Sequence, residues 1–290
     1  MGFWDVAWGM KKIFTLIAVL LIAGGLTFHF AALETFNALV PKDDGSIFWQ
    51  KDMAYGQHPR QKLDIYMPRE SSGPLPIVLF VHGGSWQEGN KRGYGFVGRA
   101  LAAQGFMTMV MNYRLHPQDR HPAFVEDVAL ALRWAADNGK SLGGDPTHIF
   151  AMGHSAGAYN IAQAVLDEHY ATTRPKLAGV ITLAGPFDFL PLDSKTTIKV
   201  FGEVPDLPST QPINHVTANA PPFLILHGSD DTTVFPRNAV ALDKALREKG
   251  VPSELKFYEG TSHVRIILAL AKPLRSIPVL EDAVRFMREH

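Results

Sequence analysis

The chain has 290 residues, 46% of them hydrophobic and 19% charged, enough for one large core or two modest domains. Its 28 Lys and Arg balance 28 Asp and Glu, so no basic excess points to nucleic acid and no acidic tail is present. Cysteine is absent, which excludes disulfides, thiol catalysis and cysteine-based zinc or iron–sulfur sites.

After a short leading segment (1–12), Lys11 and Lys12 precede an apolar run without a charged residue from Ile13 to Leu33. That is roughly the length that crosses a bilayer as a helix. Two readings stay open. In one, Ile13–Ile22 is the centre of a signal peptide and Ala23-Gly24-Gly25 supplies small residues for cleavage. In the other, 13–33 remains as a membrane anchor, since no A-x-A site follows. Either way the lysine pair leads us to expect an inside N-terminus, with the body exported or anchored outside the cytoplasm. Residues 34–46, with Pro41, Lys42, Asp43, Asp44 and Gly45, read as a polar linker to a body over 47–290.

The body opens with alternating strands over Ile47–Tyr55 and Lys62–Met67, joined by a turn at Gly56–Arg60. Ile77–Val81 is continuously apolar, as suits a strand buried on both faces of a parallel sheet. Helices and strands then alternate: helix Phe96–Gln104, strand Phe106–Met111, helix Ala123–Asn138, strand Thr147–Met152 and a helix after it. Strands Leu177–Leu183 and Phe223–Leu226, helix Pro236–Lys249, strand Glu254–Tyr258 and helix Val279–Arg288 complete the series. Such alternation predicts an α/β fold with a mostly parallel sheet covered by helices on both faces. Ligands in such sheets sit at the carboxyl ends of strands.

Only the stretch 186–220 breaks the alternation. With five prolines and Phe187, Phe189 and Phe201, it reads as an excursion over the active site. Trp86, Phe187, Phe189 and Phe201 are the expected apolar pocket lining.

The strand Thr147–Met152 runs into Gly153-His154-Ser155-Ala156-Gly157, a G-x-S-x-G pattern. A serine on a tight strand-to-helix turn is lifted clear of the sheet, and backbone N–H groups at the helix start face any developing negative charge. A serine hydroxyl needs a base, usually a histidine oriented by a carboxylate. Asp230 and Asp231 follow the strand Phe223–Leu226. Of the 12 histidines, His263 alone stands just after the last predicted strand, in a Gly-x-x-His context. His82, His154 and His227 have structural hydrogen bonds as their expected duty. His58, His116 and His121 lie in proline-containing loops and are expected to be solvated. No H-E-x-x-H or Walker sequence is present, so neither a metal nor a phosphate-cradling loop is expected.

These motifs resemble the α/β-hydrolase superfamily. There the acid sits in H-G-x-x-D-x-x-V, and matching His227, Gly228 and Val234 puts it at Asp231. His82-Gly83-Gly84-Ser85 resembles the H-G-G-G oxyanion loop of lipases and esterases, with Ser85 in place of the third glycine. The implied donors are the N–H groups of Ala156 and Gly84, with Gly83 or Ser85. Tyr55-Gly56, Gln61–Pro68, Asn112-Tyr113-Arg114-Leu115, Pro122, Glu126-Asp127 and Gly144-Asp145-Pro146 are similar to bacterial esterases of the hormone-sensitive-lipase-like and feruloyl-esterase-like groups. The likeness covers about 47–290. It implies a cofactor-free serine carboxylesterase with Ser155 as nucleophile, His263 as base and Asp231 as acid, acting on short or medium acyl or small aromatic esters. An arylformamidase-like amidase could share the same triad. A hydrolase-fold binding protein without catalysis is the other alternative.

Overall fold

The residues of β3 (Leu75–Val81) alternate between two cores. Ile77, Leu79 and Val81 join one apolar cluster, Val78 and Phe80 the other, and all five are fully buried. A strand with two buried faces has to be central. This one lies between β4 (Met107–Met111) and β5 (Gly144–His154) and pairs parallel with both. The computed structural model describes residues 26–290. Around β3–β5 it places β1 (Ser46–Ala54), β2 (Lys62–Pro68), β6 (Gly179–Leu183), β7 (Phe223–Gly228) and β8 (Ser253–Tyr258). The sheet order is β1-β2-β4-β3-β5-β6-β7-β8. β1 and β2 are antiparallel, β2 runs antiparallel to β4, and the remaining pairs are parallel.

Helices close both faces. α1 (Leu26–Leu39), α2 (Gly95–Ala102), α7 (His263–Leu268) and α8 (Val279–Glu289) pack on the Val78 and Phe80 side. α3 (Ala123–Gly139), α4 (Ala156–Leu166) and α6 (Arg237–Glu248) pack on the Leu79 side. This is the expected α/β-hydrolase architecture, and strand positions agree to within a few residues. Two short helices were not expected: α5 (Lys195–Phe201), inside the 186–220 excursion, and α7, which begins at His263 itself. Ser194 caps α5 by accepting from the Thr197 N–H at 3.0 Å, offsetting a Thr-rich, β-branched sequence of weak helix propensity.

One boundary differs from expectation. The stretch 34–46 is not a free linker, because α1 continues through it to Leu39. Leu33, Phe36 and Val40 recur at i, i+3 and i+7, all are buried, and Phe36 meets Phe96 edge-on at 5.4 Å. Just beyond, Arg275 grips the Asp43 carboxylate through two bonds of 2.8 and 2.9 Å. The packed body therefore starts ahead of Ile47. The leading segment 1–12, and the expected signal or anchor run as far as residue 25, lie outside the described residues. Among the described residues, no helix is long and apolar enough to cross a membrane.

Candidate active site

β5 ends at His154 and α4 begins at Ala156, leaving Ser155 alone at the turn with φ 55° and ψ −124°. For a residue with a side chain this is a strained conformation that the surroundings must impose. The Ser155 N–H donates to Leu183 O at 2.9 Å, which ties the turn to β6. Close approach does the rest. A Cβ on Gly157 would stand 2.1 Å from Val81 O, and one on Gly153 would meet the Gly157 carbonyl carbon at 2.7 Å. Neither position has room for a side chain.

The first turn of α7 brings His263 Nε2 to 2.9 Å from Ser155 Oγ. Its Nδ1 donates to Asp231 Oδ2 at 2.7 Å. Asp231, in the loop after β7, is only 2% exposed, and its other oxygen accepts the Thr233 and Val234 N–H groups at 2.9 Å each. Adjacent Asp230 is exposed and bonds Ser229 Oγ instead. Burial pushes the Asp231 carboxyl up, but hydrogen bonds from His227 and His263 and the nearby His263 charge outweigh it, holding the group well below the usual carboxylate range. The acid is therefore an anion throughout the neutral range.

Two further histidines frame this line. His227 Nε2 donates to Val234 O at 2.8 Å and lies 3.3 Å from Asp231 Oδ2. His154 Nε2 donates to His263 O at 3.0 Å, so the turn that holds the serine also holds the backbone of the histidine. Sequence reasoning assigned both to structural hydrogen bonds without finding their partners, which lie seven and 109 residues away.

The loop after β3 carries a run of left-handed residues: Gly84 at φ 135°, Ser85 at 52° and Trp86 at 60°. Ser85 and Trp86 adopt this conformation despite their side chains, which concentrates backbone strain beside the serine. The loop is braced from behind. Tyr113 Oη donates to His82 O at 3.0 Å, and His82 Nδ1 donates to Gly83 O at 2.7 Å. Because Gly83 O and the Gly84 N–H belong to one peptide unit, holding the carbonyl fixes where that N–H points. Gly83 itself packs on Ser155, a Cβ there lying 3.1 Å from the Ser155 Cβ.

A cavity of about 370 Å³ opens over Ser155. Ser85, Trp86, Ala156 and Phe189 line it, with Pro186 from the start of the excursion. Its opposite wall is formed by Thr232, Thr233, Val234 and Phe235 after β7, and by Ser194 and Thr197 of the excursion. Gly83 and Gly84 are not part of this wall. Nor are Phe187 and Phe201, which corrects their expected place in the pocket. Phe201 is fully buried and edge-on to Trp86 at 4.9 Å, in a cluster with Tyr159 and Phe124. Phe187 is fully buried, and its N–H donates to Asn238 Oδ1 at 2.9 Å. Phe187 and Phe201 fill the space behind the cavity, while Phe189 of the same excursion lines it. Trp86 is held by Nε1 donating to Asn160 Oδ1 at 2.9 Å. The hydroxyl-bearing wall had no signal in the sequence, because isolated Thr and Ser residues look the same in any loop.

His116 also departs from expectation. It is 7% exposed, with its N–H donating to Trp86 O at 2.8 Å; His121, likewise expected to be solvated, packs against the Phe124 and Phe201 rings at 5.7 and 5.6 Å. Among the described residues, no cluster of His, Asp and Glu could hold a metal.

Burial lowers the pKa of His82 and of His154 to about 3 and that of His121 to about 4, so each is neutral in the folded chain. In the unfolded chain the same rings take up a proton near 6.5. The unfolded state then binds more protons as pH falls below 6.5, and stability drops by up to about 1.4 kcal/mol per pH unit for each ring. The drop continues towards the folded pKa values. We expect the melting temperature to hold above pH 7 and fall steeply between pH 6.5 and 4. A flat melting temperature across that window would refute the neutral, buried assignment.

A family model described as BD-FAE matches residues 63–246. A probable isoprenylcysteine alpha-carbonyl methylesterase of Arabidopsis thaliana is 26% identical over 251 residues, covering 77% of this chain and 52% of its own length. Esterase LipC of Mycobacterium tuberculosis is 31% identical over 222 residues, covering 68% of this chain and 55% of its own. The chain thus spans about half the length of these curated relatives. Esterase B from Lactobacillus rhamnosis, solved with a tributyrin phosphonate inhibitor, superposes with a TM-score of 0.79 at 21% identity, covering 97% of this chain and 95% of that one.

Proposed function

The chain belongs to the BD-FAE family, and on that premise we propose that it hydrolyses carboxylic esters through a Ser155 acyl-enzyme. The observation that carries this reading is the unbroken line from Ser155 Oγ to His263 Nε2 at 2.9 Å and from His263 Nδ1 to Asp231 at 2.7 Å. With Nδ1–H committed to the carboxylate, Nε2 keeps the lone pair that accepts the serine proton. Ser155 Oγ attacks the ester carbonyl as His263 takes that proton. The carbonyl oxygen becomes an anion facing the N–H groups of Ala156 and of the Gly83–Ser85 loop. Collapse of the intermediate expels the alcohol, which receives the proton from His263. A water molecule then gives its proton to His263, attacks the acyl carbon and releases the acid with Ser155 restored.

The Trp86–Phe189 side of the cavity is backed by packed aromatics, which supports a short acyl group or a small aromatic one. Hydrolysis of p-nitrophenyl esters of increasing chain length by the full chain tests this. The expected result is higher kcat/KM on acetate and butyrate than on octanoate and palmitate. Preference for palmitate would overturn the short-acyl assignment. Turnover of N-formyl aromatic amines without ester turnover would reassign the same triad to an amidase.

A further inference from the structure

The direction of α1 relates the N-terminal apolar run to the cavity. Leu33 touches the turn Lys91–Tyr94, which follows the His82–Trp86 loop at the carboxyl edge of the sheet; a Cβ on Gly93 would lie 3.2 Å from Leu33 Cγ. Asn37, one turn later, donates to Arg92 O at 2.7 Å. Gly45, beyond the end of α1, sits 3.5 Å from the Ala103 Cβ, near the opposite edge where β4 starts. α1 therefore runs antiparallel to the parallel strands. At 1.5 Å per residue, Leu26 stands about 10 Å beyond Leu33, on the side where the cavity opens. The helix therefore enters the body from the carboxyl edge of the sheet, the edge at which Ser155 stands.

Two large apolar side chains stand exposed near the cavity. Phe235 after β7 lines the opening and is 51% exposed, and Ile198, next to the lining residue Thr197 on α5, is 53% exposed. Exposed Lys195 precedes the lining residue Thr196 on α5, and exposed Arg237 stacks on the Phe235 ring at 5.5 Å with Asp193 3.7 Å from its guanidinium. Apolar side chains ringed by cations suit the boundary between acyl chains and phosphate headgroups.

We propose that the cavity opens onto a lipid bilayer, the apolar run and the Ile198–Phe235 rim both meeting it, so that the enzyme draws amphiphilic esters from the membrane surface. An ester anchored in the bilayer then reaches Ser155 without first dissolving in water.

Because the sequence holds no cysteine, single-site labelling needs no background removal. Ile198→Cys, Phe235→Cys and Lys249→Cys are made in the full chain, the last exposed at the opposite edge of the sheet. Each carries a small fluorophore and is reconstituted into vesicles of equal parts phosphatidylcholine and phosphatidylglycerol doped with headgroup-spin-labelled lipid. The expected result is loss of fluorescence at 198 and 235, with position 249 keeping its signal. Equal signals at all three positions, or a chain that stays out of the vesicles, would overturn the proposal. Quenching at 249 alone would do so too. Pyrene excimer emission from position 198 without lipid quenching would assign the rim to a second copy of the chain instead. Reaction of each labelled variant with a fluorophosphonate reports an intact Ser155. The quenching needs no turnover, so its failure leaves the ester-hydrolysis reading standing.

Discussion

Replacing Ser155 by alanine is expected to lower kcat on p-nitrophenyl acetate by about a millionfold, and His263→Ala by a similar factor. Removing either breaks the same proton path, so the double variant is expected to lose little more than each single one. The reason is geometric. Ser155 Oγ has one base within reach, at 2.9 Å, and without that base its hydroxyl is a poor nucleophile at neutral pH. What survives in each variant is the strained loop and the N–H of Ala156, which still favour the oxyanion of a carbonyl attacked by water. Steady-state rates, with circular dichroism and the melting temperature of each variant as the control for folding, check this. A Ser155→Ala variant keeping a tenth of the activity would place the nucleophile elsewhere.

The second large effect separates neighbours in the chain. Asp231→Asn is expected to lower kcat by about 10⁴-fold, whereas Asp230→Asn leaves it near the parent value. An amide at 231 turns an acceptor of the His263 Nδ1–H into a donor facing it. The imidazole then favours the tautomer with its proton on Nε2, where it cannot accept one from Ser155. The amide also loses the charge that steadies the imidazolium. Asp230 meets Ser229 on the surface and touches neither histidine. If the Asp230 variant lost activity and the Asp231 variant kept it, the acid would have been misassigned, whatever the distances say.

Much of this arrangement was legible in the residues. Short continuously apolar runs such as Ile77–Val81 and the glycine punctuation of Gly153-His154-Ser155-Ala156-Gly157 encode backbone geometry locally, so the strands and the serine turn follow from spacing. What stayed hidden depends on which side of a segment meets which neighbour. Phe201 and Phe189 lie in the same excursion with similar chemistry, yet one packs beneath Trp86 and the other lines the cavity. Residues 34–46 look polar along the chain, while one stripe with Leu33, Phe36 and Val40 is buried against α2. The His227 contact with Asp231 and the His154 contact with His263 O need a fold before they have partners. Short helices such as α5 and α7 carry too few residues for periodicity to speak.

The strand order has a consequence for how the chain acquires its activity. β3 must be flanked by β4 and β5 together, and the serine and histidine it helps to align are 108 residues apart in sequence. Contacts so distant form late, after the loop-closure cost of ordering the intervening chain, on timescales of milliseconds to seconds or longer. On refolding from denaturant, helical signal and collapse should therefore return well before ester turnover. The catalytic site serves as a clock that stops only when the last of the topology is in place.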